Sequence, residues 1–187
     1  MGRLIVGLSG ASGVIYGIRL LEVLLDVPAV ETHLVVSGGA KRTIPLETDF
    51  SLDQVVELAD VVHDVGNVAA PISSGSFPTM GMVVAPCSMK TLSGIANSFN
   101  ENLLVRAADV TLKERRRLVL LPRETPLHLG HVRLMTQAIE IGAVLMPPVP
   151  ALYHRPQSID EIINHTVSRV LDLFGIENAV SRRWEGA

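Results

Sequence analysis

Short apolar runs alternate along this chain with longer stretches in which apolar residues recur every three or four positions. The runs at residues 4–8, 33–36, 80–85, 118–121 and 143–146 have strand length and little internal polarity, the pattern of strands covered on both faces. The amphipathic stretches predict helices between them. In the first, over 14–26, Ile15, Ile18, Leu21 and Leu25 share a face while Arg19 and Glu22 point elsewhere. A second follows Ser37-Gly38-Gly39 and carries Glu47, and Ser51-Leu52-Asp53 reads as a helix start. Pro86-Cys87-Ser88 turns the third apolar run into another helix. Further helices are predicted over 102–116, 128–141 and 158–174, the last closed by Gly175.

Strands alternating with helices throughout imply parallel βαβ units and a doubly wound α/β sheet, with no repeat and no domain boundary between residues 1 and 187. Ligands of such sheets sit at the carboxyl ends of the strands, beside the point where the winding reverses. The residues expected there are Gly10 to Gly13, Ser37, Cys87 and Ser88, Arg123 and Glu124, and Tyr153.

Composition narrows the reading. Hydrophobic residues make up 48% and aromatics only 4%, so the apolar mass is aliphatic. The mean hydropathy of +0.36 exceeds what one small domain readily hides and points to self-association. A net charge of −3, with no longer basic patch than Lys113-Glu114-Arg115-Arg116-Arg117, argues against nucleic acid. The uncharged stretch 65–89 is punctuated by Pro71, Pro78 and Pro86, so it reads as loop plus strand and not as a membrane span. A lone Cys87 excludes an internal disulfide framework and suits a reducing compartment, and a cytoplasmic protein is expected.

The candidate chemistry follows from those strand ends. Gly10-Ala11-Ser12-Gly13 has the form of an anion-binding loop: close backbone approach, a helix N-terminus and a hydroxyl. Gly7, Gly10 and Gly13 are spaced G-x-x-G-x-x-G, so the dinucleotide fingerprint is absent, and so is a Walker lysine. Ser37 and Ser88 repeat the arrangement after two other strands. One such serine is an ordinary helix cap; three in register suit an anion or a polar heterocycle. Cys87 reads as a buried structural thiol. Arg123-Glu124 follows an apolar strand into the crevice, where an arginine suits phosphate and a carboxylate can move protons; a surface ion pair is the bland alternative. Tyr153, Arg155 and Arg169 could reach the same end. The six histidines show no metal spacing, and no metal is expected.

Taken together, these stations resemble one family. Gly10-Ala11-Ser12-Gly13, Ile72-Ser73-Ser74-Gly75-Ser76, Ala85-Pro86-Cys87-Ser88-Met89-Lys90-Thr91, the stretch 102–110, Leu112-Lys113-Glu114-Arg115-Arg116 and Pro122-Arg123-Glu124-Thr125-Pro126 look like the characteristic stretches of UbiX/Pad-type flavin prenyltransferases. Pro150-Ala151-Leu152-Tyr153 and Arg183-Trp184 match as well, so the resemblance runs nearly end to end. The wording of 72–77 and 87–90 is closest to members paired with phenolic-acid decarboxylases.

The resemblance implies a flavodoxin-like Rossmann fold in a homododecamer. It implies an enzyme that joins dimethylallyl phosphate to reduced FMN and hands the prenylated FMN to a UbiD-type decarboxylase. By motif match, Gly10, Ala11, Ser12, Ser37, Ser88, Thr91 and Arg123 would hold FMN, with Met89 and Lys90 in the same turn. Lys113, Arg123, Tyr153 and Arg169 would hold the prenyl phosphate. Glu47 and Glu124 would handle protons, and Trp184 could stabilise a cation-like allylic carbon. The segment 128–132 departs from the family's usual helix start. A related flavin-dependent cysteine decarboxylase and a non-catalytic flavin carrier are the rival readings.

Overall fold

A computed structural model describes residues 2–183 and Gly186. Six strands form one wholly parallel sheet: β1 (Gly2–Leu8), β2 (Val30–Val36), β3 (Val61–His63), β4 (Gly81–Cys87), β5 (Arg117–Pro122) and β6 (Val144–Leu145). Their order is β3-β2-β1-β4-β5-β6, so the winding reverses between β1 and β4. This is the Rossmann arrangement expected from the alternation.

The helices are α1 (Val14–Leu25), α2 (Gly38–Glu47), α3 (Leu52–Glu57), α4 (Met89–Ala96), α5 (Leu103–Lys113), α6 (Leu129–Glu140) and α7 (Ile159–Leu173). Along β1, Leu4, Val6 and Leu8 point into the layer built by α1, α2, α3 and α7, whereas Ile5 points into the layer of α4, α5 and α6. Both faces are therefore dry, which is why the strands lack polar alternation. Each large aliphatic side chain buried this way contributes about 1.5–3 kcal/mol. At Gly17 no side chain fits, because a Cβ would collide with the Ala85 carbonyl; α1 thus lies directly on β4.

Three boundaries depart from the sequence reading. β3 was not expected; three residues at a sheet edge carry too short a pattern to register. The helix expected to run to residue 116 ends at Lys113, because Arg115 takes a left-handed conformation (φ 57°) in the place where glycine usually stops a helix. β4 continues through Pro86 to Cys87, with its register to β5 interrupted between Val84 and Cys87. A proline is tolerated in a central strand at such an irregularity. Among the described residues no helix is long and apolar enough to cross a membrane.

Candidate functional site

At the reversal point a buried serine joins the turns that follow β1 and β4. The Ser9 hydroxyl donates to the Pro86 carbonyl (2.8 Å) and accepts from the Ser88 backbone N–H (2.7 Å). The Ser9 backbone N–H donates to the same carbonyl at 3.2 Å. Sequence reasoning passed over Ser9. Its signal was a polar residue directly at the end of a dry strand, where burial demands partners.

The turn after β2 packs on the turn after β1. A Cβ on Gly10 would stand 2.8 Å from the Gly39 Cα, so the two backbones touch and any side chain would force them apart. Because β2, β1 and β4 are neighbours, the N-termini of α1, α2 and α4 converge at one edge of the sheet. Each offers unpaired N–H groups and a partial positive charge.

Two of these ends are capped by the serines singled out above. Ser37 Oγ accepts from the Ala40 N–H at 3.1 Å. Ser88 Oγ accepts from the Thr91 N–H (3.2 Å) and donates to Thr91 Oγ1 (3.1 Å). The α1 end differs. Gly13 sits at φ 100° with no side-chain cap, and the Glu47 carboxylate, reaching over from the end of α2, accepts its N–H at 2.7 Å.

Beside these ends lies an open groove of about 450 Å³. Ser12, Gly13, Tyr16, Glu47 and Arg123 form its polar part; Ile15, Pro148, Ile159 and Ile163 its apolar wall. Arg123 arrives there because β5 ends against Cys87, whose carbonyl accepts the Arg123 backbone N–H at 3.3 Å. Burial pushes the Tyr16 phenol above its ordinary pKa, so it stays protonated. Cys87 is fully buried, and desolvation lifts its thiol far above the usual range, which leaves an inert apolar side chain. Glu124 is exposed at the same strand end, its carboxylate accepting the Thr125 N–H at 3.0 Å. Lys90, on the exposed side of α4, pairs with Glu101 at 2.9 Å, while Met89 packs against the core.

The remaining expected residues lie apart from this groove. Lys113 ends α5 at the amino end of β5, the edge opposite Arg123, and pairs with Glu114. Six residues of strand separate them, roughly 20 Å. Tyr153 and Arg169 each neighbour His165 in a second cluster on the outer side of α7. There the Tyr153 hydroxyl hydrogen-bonds His165 Nε2 at 3.1 Å, and Arg169 follows His165 by one helical turn. Arg169 also donates to Asp172 at 2.9 Å. Trp184 lies outside the described residues. Among the described residues no group of three or more His, Cys, Asp or Glu side chains is placed to hold a metal ion.

The groove's chemistry fits a phosphorylated heterocycle. The α1 N-terminus and Arg123 suit an anion and an apolar wall suits a ring, while the N-termini of α2 and α4 open at the same edge of the sheet, where Gly10 and Gly39 keep the backbone bare.

Residues 2–171 match the family described as Flavoprotein. The flavin prenyltransferase UbiX of Escherichia coli K12 is 67% identical over 189 aligned residues, covering both chains completely. A dodecameric FMN-dependent UbiX-like decarboxylase from Escherichia coli O157:H7 superposes with a TM-score of 0.96 at 52% identity, over 98% of this chain and 100% of that one. AnUbiX, solved with FMN and dimethylallyl pyrophosphate, superposes at 0.97 with 49% identity, over 100% and 98% respectively. Likeness of this degree along the whole length leaves one assignment: the chain belongs to the flavoprotein family and, within it, to the UbiX-type flavin prenyltransferases.

Proposed function

We propose that this protein is a flavin prenyltransferase, joining the dimethylallyl group of dimethylallyl phosphate to reduced FMN and supplying prenylated FMN to a UbiD-type aromatic-acid decarboxylase. The observation that carries this reading is the groove at the β1–β4 reversal, where the α1 N-terminus lies with Arg123 and the N-termini of α2 and α4 open at the same sheet edge. A parallel is AnUbiX, which was solved with FMN and dimethylallyl pyrophosphate. Reduced FMN, when bound, supplies the electron-rich ring that accepts the prenyl group.

The chain's own residues hold and neutralise. Gly10, Ala11, Ser12, Ser37, Ser88, Met89, Lys90, Thr91 and Arg123 hold FMN, through the loop after β1 and the turns that open α2 and α4. As the allylic C–O bond breaks, its electron pair leaves with the phosphate. Fixed positive charge from Arg123, Lys113 and Arg169 offsets the charge that develops there. Glu47 and Glu124 flank the groove as proton-handling carboxylates. Glu47 now occupies the Gly13 N–H and is free to exchange it for a ligand oxygen.

Lys113, Tyr153 and Arg169 do not line the groove of their own chain, so they serve it from neighbouring copies. That requires a homo-oligomer, and the dodecamer formed by the Escherichia coli O157:H7 relative supplies the precedent. Residues 1–187 make one FMN-binding domain, and the lone buried thiol of Cys87 suits a cytoplasmic setting.

The test is anaerobic incubation with reduced FMN and dimethylallyl phosphate, followed by mass analysis of the flavin. One added dimethylallyl unit and release of inorganic phosphate are expected. An unchanged flavin with folded, FMN-loaded protein would overturn the assignment.

A further inference from the structure

The cluster outside α7 contains a histidine that no motif singled out. His165 meets Tyr153 edge-on (ring centroids 5.9 Å) and hydrogen-bonds its hydroxyl through Nε2 at 3.1 Å. On its other side it stacks on His154 at 4.8 Å, with the ring planes only 18° apart. His154 also meets the Tyr153 ring edge-on at 5.4 Å. Both ring nitrogens of His154 are buried without a hydrogen-bond partner among the described residues. His154 therefore serves here as a stacking wall that limits how the His165 ring can turn.

Resting on the reading that Tyr153 and Arg169 hold the prenyl phosphate, we propose that His165 is a positioning residue that sets the direction of the Tyr153 hydroxyl. A tyrosine hydroxyl has one proton to give. If His165 Nε2 presents a lone pair, that proton is spent on the imidazole. If Nε2 carries hydrogen, it donates to the tyrosine oxygen, and the hydroxyl proton can turn to a phosphate oxygen. A phosphate beside Arg169 selects the second arrangement, because only then does every group around it point a hydrogen inward. The imidazole can present an Nε2–H while uncharged, so the role needs no protonated histidine. That matters here: burial first, then the neighbouring His154 and Arg169, hold His165 below its ordinary pKa. Arg169, four residues on along α7, supplies the fixed charge, and His165 supplies the orientation.

A mutant cycle on the intact oligomer tests this, read as KM for dimethylallyl phosphate and as FMN affinity. Tyr153→Phe should raise KM about tenfold, the loss of one charge-assisted hydrogen bond. His165→Phe keeps the stack on His154 but removes both nitrogens, and should raise KM about three- to tenfold with kcat and FMN affinity little changed. The double variant should be no worse than Tyr153→Phe alone, because His165 acts only through that hydroxyl. His165→Gln, whose amide reaches the Nε2 position, should recover most of the loss. Multiplying effects in the double variant, or no recovery by glutamine, would overturn the proposal. If Tyr153→Phe itself leaves KM unchanged, the placement of Tyr153 at the phosphate falls, which is a distinct result. Should His165→Phe not assemble, His165→Leu carries the same cycle.

Discussion

Of the three places where histidine rings meet among the described residues, His33–His63 and His154–His165 are partnered in different ways. Between β2 and β3, His33 Nδ1 meets His63 Nε2 at 2.9 Å, and His33 Nε2 meets Glu31 at 2.7 Å. Arg3 donates to the same carboxylate at 3.0 Å and lies over the Phe77 ring. The His33 side chain is only 4% exposed. This cluster carries its own counter-charge: the hydrogen bond from His33, then that from Arg3, holds the Glu31 carboxyl below its ordinary pKa. Outside α7, the Tyr153–His154–His165 cluster is half-buried to exposed; burial, then His154 and the cation Arg169, act on His165, and Arg169 pairs with Asp172 on its own helix. A closed network with internal balance stabilises a fold. A cluster open to solvent with an arginine one helical turn away suits an incoming anion. Residue type is shared; burial and the surrounding partners decide the use.

The largest expected effect tests the outward cluster. Arg169→Ala should weaken use of dimethylallyl phosphate roughly ten- to hundredfold while FMN affinity stays within about twofold. On the proposed sharing of the site between copies, co-assembly of Arg169→Ala chains with Arg123→Ala chains should recover part of the turnover that each lacks alone. Equal loss of both ligands, or no recovery in mixed oligomers, would erase the contrast between the clusters.

A smaller effect tests the inward cluster. His33→Ala removes the group that joins Glu31 to His63 and should lower Tm by about 5 °C, with KM for the prenyl donor unchanged. A Tm unchanged in calorimetry would show that the network is decorative.

The smallest effect is a pH dependence. Burial, then the neighbouring His33, lowers the His63 pKa, so the unfolded chain binds more protons than the folded one just below the ordinary histidine value. Stability from this group is present above about pH 6.5 and is lost as pH falls towards the depressed folded value. Lowered Glu31 acts in the same direction at more acid pH: its contribution is present above about pH 4.3 and lost below. Thermal melts from pH 7 to pH 5 should therefore fall by a degree or two more, about, in the parent than in His63→Gln. Parallel curves would mean that His63 does not titrate with folding.

Much of the molecule was legible in residue order. Dry runs such as 118–121 specify buried strands, because a strand covered on both faces cannot alternate. Gly10–Gly13, Ser37 and Ser88 announce strand-to-helix turns by local chemistry alone, since caps and left-handed glycines depend on near neighbours. The edge strand β3 and the stop at Arg115 were not legible. The first is too short for a period, and the second uses a residue with no intrinsic preference for the left-handed region.

What the sequence by itself determined was the winding of the sheet and, through near-complete motif agreement, the family. The tertiary structure alone decided which expected residues meet. Ser9 became the staple between β1 and β4 because two strands 77 residues apart in the chain end side by side. Glu47 reached Gly13 across 34 residues. Lys113 and Arg123, ten positions apart and both expected at one phosphate, were sent to opposite edges of the sheet by the strand between them. Distances of this kind depend on where each element ends in space, and no local pattern of residues encodes that.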